Sequence, residues 1–301
     1  MNAGRFAPSP SGDLHIGNLR TAVLAWLFAR STGRDFLIRM EDLDGRTRPG
    51  SAERQLADLA AIGLDWEQPV VVQSGRRDVY RTVVDSLVAD GATFECFCTR
   101  REIQEAPTAP HAPPGAYPGT CRELTTRQRE ERREQRPAAI RLRAETSEFT
   151  VHDVLHGDYT GDVDDVVLVR GDGTPAYNLA VVVDDHAAGI DQVVRGDDLL
   201  SSAPRQAYLA TRLGYTPPLY AHVPMVLNAD GVRLSKRDGA VTLEDLQGVG
   251  AGPDAVVGMI AESLRMSGTT AADLLPRFDP AALPREPWIF TPPPAGDAHR
   301  P

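Results

Sequence analysis

Leu19, Val23, Trp26 and Leu27 recur at helical spacing and predict a helix over residues 16–29. A short strand at 4–7 and the turn Pro8-Ser9-Pro10-Ser11-Gly12 precede it. Residues 35–40 read as a second strand, ending in the acidic run Glu41-Asp42-Leu43-Asp44. Helical patterns follow at 52–62, closed by Gly63, and at 80–88. This alternation predicts an α/β fold, a Rossmann-like parallel sheet with helices on its faces. Around residue 95 the pattern changes. Residues 96–121 are rich in proline, glycine and cysteine, 122–136 form a highly charged helix candidate, and 140–143 alternate like a strand. The stretch reads as an inserted subdomain. Short apolar segments at 166–169, 180–183 and 192–195 then read as strands, with a hairpin turn at Asp172-Gly173. A helix over 202–213, a strand over 224–227 and a helix over 256–266 follow, and the proline-rich chain from 276 is expected to be extended or disordered. The pattern divides the chain into a first half of the sheet domain (1–95), the insertion (96–165), a second half (166–235), a small helical part (236–275) and a tail (276–301).

A length of 301 residues can bury a substantial core. The net charge of −10 excludes a generally cationic nucleic-acid coat, so any RNA partner must be held by local patches. No apolar run approaches the roughly 20 residues that a membrane span needs, and no signal-peptide pattern opens the chain. Three cysteines make a disulfide framework a poor expectation and favour a reducing cytoplasm. A monomer is expected.

The chain has 31 arginines and one lysine, Lys236, in Arg233-Leu234-Ser235-Lys236-Arg237, just after the turn Asn228-Ala229-Asp230-Gly231. Lysine carries a compact charge on a flexible stem and can follow a phosphate as it moves. The loop therefore reads as a phosphate-handling element. His15-Ile16-Gly17-Asn18 lies where the first strand gives way to the first helix, and a helix N-terminus offers free N–H groups to an anion. His15 can donate to a phosphate oxygen, and Gly17 clears the backbone for a nucleobase. The pair suits attack of a carboxylate on the α-phosphate of ATP, a reaction of positioning and charge stabilisation in which Mg²⁺ assists.

Arg5-Phe6-Ala7-Pro8-Ser9-Pro10-Ser11-Gly12-Asp13-Leu14-His15-Ile16-Gly17 resembles the first signature of the class I glutamyl-tRNA synthetases, and residues 233–237 resemble their Lys-Met-Ser-Lys loop. Residues 177–186 and Val194-Arg195-Gly196-Asp197-Asp198-Leu199 also match family stretches, in the right order. One departure is that Arg233 and Leu234 stand where the loop's first lysine and its methionine would be. The resemblance implies ATP bound by His15, Gly17, Asn18, Ser235 and Lys236, with His15 and Lys236 stabilising charge on the phosphates.

Glutamate needs an acid for its ammonium and at least one fixed cation for its carboxylate. Arg5 and Arg195 are expected at strand ends on the C-terminal edge of the sheet, with Glu41 as the partner of the ammonium. The bland alternative makes all three surface salt-bridge residues. Resemblance implies the same three, with Ser9 and Tyr177 completing the pocket. Cys96, Cys98 and Cys121 gather every cysteine in one loop-rich stretch, which suits a structural Zn²⁺ clip better than three free thiols. Resemblance to a short branch of the family implies Tyr117 as fourth ligand, and His111 is the conventional rival. Residues 122–143 hold eight arginines against four glutamates, either a solvated helix laced with ion pairs or a face for RNA phosphates.

The 65 residues after Lys236 leave no room for the family's large helical anticodon-binding region. The expectation is the short branch, which is similar in length and in its Cys-x-Cys…Tyr-x-x-x-Cys spacing. Its members, the glutamyl-queuosine tRNA(Asp) synthetases, activate glutamate with ATP without tRNA and attach it to queuosine in the anticodon loop of tRNA(Asp). The alternatives are a truncated synthetase charging the 3′ end of tRNA(Glu), and a non-catalytic paralogue that binds tRNA or glutamate.

Overall fold

The computed structural model describes residues 2–105, 117–234 and 241–293; His111, Ser235 and Lys236 lie outside the described residues. The first half of the chain runs β1 (Ala3–Phe6), α1 (Ile16–Ser31), β2 (Asp35–Met40), α2 (Ser51–Ala61), β3 (Glu67–Val72) and α3 (Arg77–Ala89). The insertion follows with β4 (Thr93–Cys96), α4 (Arg100–Glu105), α5 (Thr126–Arg133) and β5 (Ala139–Leu142). Then come β6 (Glu148–Asp153), β7 (Gly157–Asp162), β8 (Val167–Val169), α6 (Tyr177–Ala187), β9 (Ile190–Gly196), α7 (Ala203–Arg212) and β10 (Leu219–Val223). The chain closes with β11 (Val226–Leu227), α8 (Leu243–Gly248), α9 (Pro253–Ser263), α10 (Ala271–Leu274) and β12 (Trp288–Ile289). No helix among the described residues is long and apolar enough to cross a membrane.

The main sheet has the order β3-β2-β1-β9-β10-β6-β7, parallel throughout except for the antiparallel edge pair β6–β7. The strand order reverses between β1 and β9, and a doubly wound sheet opens a ligand crevice at the carboxyl ends on either side of such a point. The loops after β1, β2, β9 and β10 therefore rim the same edge. Helix α1 is apolar almost all round and is buried from Ile16 to Ala29 apart from Asn18 and Thr21, because it has two partners. One side lies on β1, β2 and β9, and the other meets the C-terminal helices in a shared core with Val256, Ile260 and Leu274. Helices α6 and α7 cover the opposite side of the sheet, and α3 packs against α6.

Three expectations are corrected. Residues 180–183 form part of helix α6 rather than a strand, although Val181, Val182 and Val183 are β-branched. Burial from Leu179 to Asp185 outweighs a local propensity of a few tenths of a kcal/mol per residue. Residues 276–293 are not a loose tail: β12 pairs in parallel with β11, Phe290 and Leu283 are buried, and Phe278 meets Phe28 edge-on at 5.1 Å. The hairpin β6–β7 extends the main sheet, whereas β4, β5 and β8 form a separate antiparallel sheet with Cys96 at the end of β4.

Candidate active site

The loop after β1 delivers His15 to the start of α1 as its N-cap. The imidazole Nδ1 accepts the amides of Gly17 (3.1 Å) and Asn18 (3.3 Å), while Asn18 Oδ1 accepts the amide of His15 (3.2 Å). This reciprocal cap satisfies orphan donors of the helix, and it also fixes the tautomer. With its lone pair committed at Nδ1, the ring carries its proton on Nε2 and can only donate there. Burial, with the charge of Arg233, lowers the pKa of His15 to about 4, so the ring is neutral at pH 7. A Cβ at Gly17 would come within 2.9 Å of His15 Cε1 and 3.0 Å of Nδ1. The missing side chain thus seats the imidazole first of all, a use that sequence reasoning assigned to a nucleobase.

Both ends of the signature loop come to this helix terminus. Val241 accepts the amide of Ile16 at 2.7 Å, and Thr242 makes a bridge with His15. On the other side, Arg233 Nη1 reaches Asp198 Oδ2 at 3.1 Å, and Leu234 is buried in the main core. The described residues on either side of 235–240 stay close to the site, and Arg233 and Val241 both line the cleft around His15.

A cleft of about 770 Å³ opens at the carboxyl edge of the sheet, lined by Ser9, His15, Asn18, Glu41, Tyr177 and Arg233 among others. Tyr177 begins α6 and is 43% exposed, far more than a buried aromatic. Arg5 and Arg195 do not line this cleft and are buried, 4% and 5% exposed. Arg5 and Glu41 take part in ion pairs that are buried rather than on the surface, and Arg195 has none among the described residues. Arg5 donates from Nε and Nη2 to the two oxygens of Asp185, both at 3.2 Å. Arg39 donates to Asp185 at 2.5 Å and to Glu41 at 3.0 Å. These four groups are balanced in charge. Burial pushes the carboxyl of Glu41 up, against the pull of Arg39 and Arg5, so a further cation beside it would be welcome.

Arg195 has a different environment. Its Nε donates to His222 Nε2 (2.9 Å), Nη1 to the Gln206 amide oxygen (2.7 Å) and Nη2 to the Leu199 carbonyl (3.3 Å). These partners are all uncharged. A buried cation is costly without a counter-ion, and two of its five N–H groups remain for an incoming carboxylate. Sequence reasoning missed Arg39, Asp185, Gln206 and His222. Arg39 was within reach, because residues two apart on a strand share a face and it stands two before Glu41. Asp185 lies in a stretch quoted above only as a family match, and its pairing depends on α6 being a helix. Nothing local marks His222 or Gln206.

Away from the cleft, the ligand atoms of Cys96, Cys98 and Cys121 lie within 4.8 Å of one another, with Cys98 and Cys121 sulfurs 3.5 Å apart. Sulfurs on a tetrahedral Zn²⁺ at ~2.3 Å would sit ~3.8 Å apart, so the donor set fits the ion. A hydrogen bond from Cys121 draws Cys96 down to about 4, which provides a thiolate, while Cys121 itself is pushed up. The hydroxyl of Tyr117 accepts the Cys121 amide at 2.8 Å and so joins the cluster, although burial first of all pushes its pKa up. The neighbouring arginines are largely committed to the subdomain's own fold. Arg141 stacks 3.8 Å over the Tyr117 ring, Arg122 pairs with Asp165, Arg143 with Glu123 and Arg133 with Glu95.

Residues 3–275 match the family model described as tRNA synthetases class I (E and Q), catalytic domain. A glutamyl-Q tRNA(Asp) synthetase of Nocardia farcinica is 66% identical over 290 residues, 96% of this chain and 93% of that protein. Its counterpart in Cutibacterium acnes is 51% identical, covering 99% and 84%. A crystal structure of a glutamate tRNA ligase from Elizabethkingia meningosepticum, in complex with its amino acid, superposes with a TM-score of 0.81 at 27% identity, over 97% of this chain and 67% of that one. With its cleft at the switch point, its His15 cap and these relatives, the chain belongs to the class I tRNA synthetases for glutamate and glutamine.

Proposed function

We propose that this protein activates L-glutamate with ATP, without tRNA, and transfers it to the queuosine base in the anticodon loop of tRNA(Asp). The observation that carries the reading is the convergence of the His15 Nε2–H and both anchors of the 235–240 loop on one cleft that also holds Ser9, Glu41 and Tyr177. The degree of likeness stands beside it: the chain is 66% identical to the glutamyl-Q tRNA(Asp) synthetase named above and 27% identical to the glutamate tRNA ligase.

In this account Arg5, Arg195, Ser9 and Tyr177 hold glutamate, with Arg195 the cation that meets a carboxylate, and Glu41 faces the ammonium. A carboxylate oxygen attacks the α-phosphorus and pyrophosphate leaves. His15, donating from Nε2, and Lys236 stabilise the charge that develops, while Gly17, Asn18 and Ser235 shape the nucleotide site. A hydroxyl of the modified base then attacks the glutamyl carbonyl and AMP leaves. Mg²⁺ would accompany ATP and offset phosphate charge. Zn²⁺ would be held by Cys96, Cys98, Cys121 and Tyr117, in a structural role that ties the insertion together. The map 1–95, 96–165, 166–235, 236–275 and 276–301 belongs to the same proposal as an order along the chain, with β6–β7 joined to the main sheet and β8 to the insertion's sheet, and so does a cytoplasmic monomer.

The test is glutamate-dependent exchange between labelled pyrophosphate and ATP. Exchange without RNA supports the reading. Exchange only on addition of tRNA(Glu) would move it to a synthetase that charges the 3′ end, and none under any condition would leave a binding protein.

A further inference from the structure

Arg195, His222 and Asp153 stand on three neighbouring parallel strands. His222 is the ladder partner of Arg195 between β9 and β10, and Asp153 ends β6 on the far side of β10. Asp153 and His222 are fully buried and Arg195 nearly so. Asp153 is saturated: one oxygen accepts the amides of Leu155 (2.8 Å) and His156 (3.0 Å), the other the amide of His222 (3.0 Å) and its Nδ1 (2.7 Å). Since the Arg195 Nε–H can only donate, His222 must offer a lone pair at Nε2 and carry its proton on Nδ1, facing the carboxylate. Burial holds the imidazole below its ordinary pKa, which keeps that lone pair free despite the pull of Asp153.

We propose that Asp153 and His222 are positioning residues that set the plane and reach of the Arg195 guanidinium for the substrate's carboxylate, and so contribute to the selection of glutamate over glutamine. This rests on the reading that Arg195 holds glutamate. The carboxylate selects the imidazole tautomer and the imidazole fixes Nε. Gln206 Oε1 fixes Nη1, and is itself steadied by its own amide donating to Asn178 at 3.0 Å. A guanidinium held at three corners presents its remaining N–H groups in one direction. A bidentate pair with a carboxylate depends on that direction, whereas the amide of glutamine would set donors against donors.

Asp153→Asn is the sharpest perturbation. One amide oxygen cannot serve both the two backbone amides and His222. Either the new NH₂ faces backbone donors, or it faces His222 and drives the ring proton to Nε2, against Arg195. The full chain is assayed by pyrophosphate exchange for KM of glutamate, KM of ATP and the glutamate-to-glutamine preference, with thermal unfolding alongside. Asp153→Asn and His222→Leu are expected to raise the KM for glutamate about 10- to 100-fold, the worth of a hydrogen bond to a charged group, with the KM for ATP unchanged and the preference reduced. His222→Gln, whose amide oxygen can take the place of Nε2, is expected to restore most of the loss. The proposal is overturned if Arg195→Lys raises the glutamate KM while Asp153→Asn and His222→Leu do not, since Arg195 then acts unaided. It is overturned equally if both KM values move together, or if His222→Gln is no better than His222→Leu, since the pair then only supports the fold. An Arg195→Lys enzyme with wild-type constants instead removes the underlying reading of Arg195. Should His222→Leu fail to fold, Asp153→Asn and His222→Gln carry the comparison.

Discussion

Replacing Gly17 with alanine separates the role of the His15 ring from the stability of its helix. The new Cβ would stand 2.9 Å from His15 Cε1, 3.0 Å from Nδ1 and 3.3 Å from Val226 Cβ. Comfortable carbon contacts begin at ~3.5 Å. Val226 is buried in β11 and cannot retreat, so the imidazole must swing outward by a few tenths of an ångström or more. That breaks or lengthens the two hydrogen bonds at Nδ1, a cap worth about 0.5–2 kcal/mol. Alanine in place of glycine returns up to ~1 kcal/mol of helix propensity. The net change in stability is therefore small, at most ~1 kcal/mol. Catalysis should respond differently, because losing one aligned donor to developing charge costs about 10²–10³ in kcat. Urea unfolding and pyrophosphate exchange on the same preparation give both numbers. A variant that keeps wild-type stability and loses at least 100-fold in kcat fits the account. Near-wild-type exchange would refute the claim that the ring's seat matters to the chemistry. His15→Asn is the companion, since asparagine can cap the helix yet cannot extend a donor as far, and it should match the loss in rate.

Other consequences follow from the same geometry. Asp185→Asn strands two buried guanidinium groups and should cost about 3–5 kcal/mol by urea unfolding. Burial pushes Asp185 up, but Arg39 and Arg5 hold it below the usual carboxylate value, so its contribution is present above pH ~4 and fades as pH falls through the folded-state value. His15 should titrate by NMR near pH 4, and a midpoint near 6.5 would contradict its burial under Arg233. Because the unfolded chain takes up that proton first, the stability from the neutral ring is complete above pH ~6.5 and is lost on the way down to 4. Elemental analysis should find one zinc per chain, and Cys98→Ser should lower that content and open the insertion to protease; a metal-free wild type would sink the site. Phe290→Ala should destabilise by about 3–5 kcal/mol, an effect that a loose tail would not show.

Much of the arrangement was legible because it is local. Strand β2 and the start of α1 follow from periodicity, and the loops after β1 and β9 carry their chemistry in contiguous residues. What escaped is set across the sheet. Residues 180–183 look like a strand until both sides of α6 are covered, and with that helix misassigned Asp185 had no address near Arg5. Arg5 and Arg195 were expected on the cleft surface, but a sequence does not tell which buried acid or imidazole reaches a guanidinium from the next strand. The terminal strand β12 was hidden by prolines, since pairing two residues with β11 needs no strand-like pattern beyond Trp288-Ile289.

The account turns on where glutamate ends up. The protein is incubated with ATP, labelled glutamate and tRNA(Asp) carrying queuosine, and the RNA is then digested with nuclease and its fragments separated. Label on the anticodon-loop fragment, absent when the tRNA lacks queuosine, is the predicted result. Label on the 3′-terminal adenosine, or on tRNA(Glu) in place of tRNA(Asp), would contradict it.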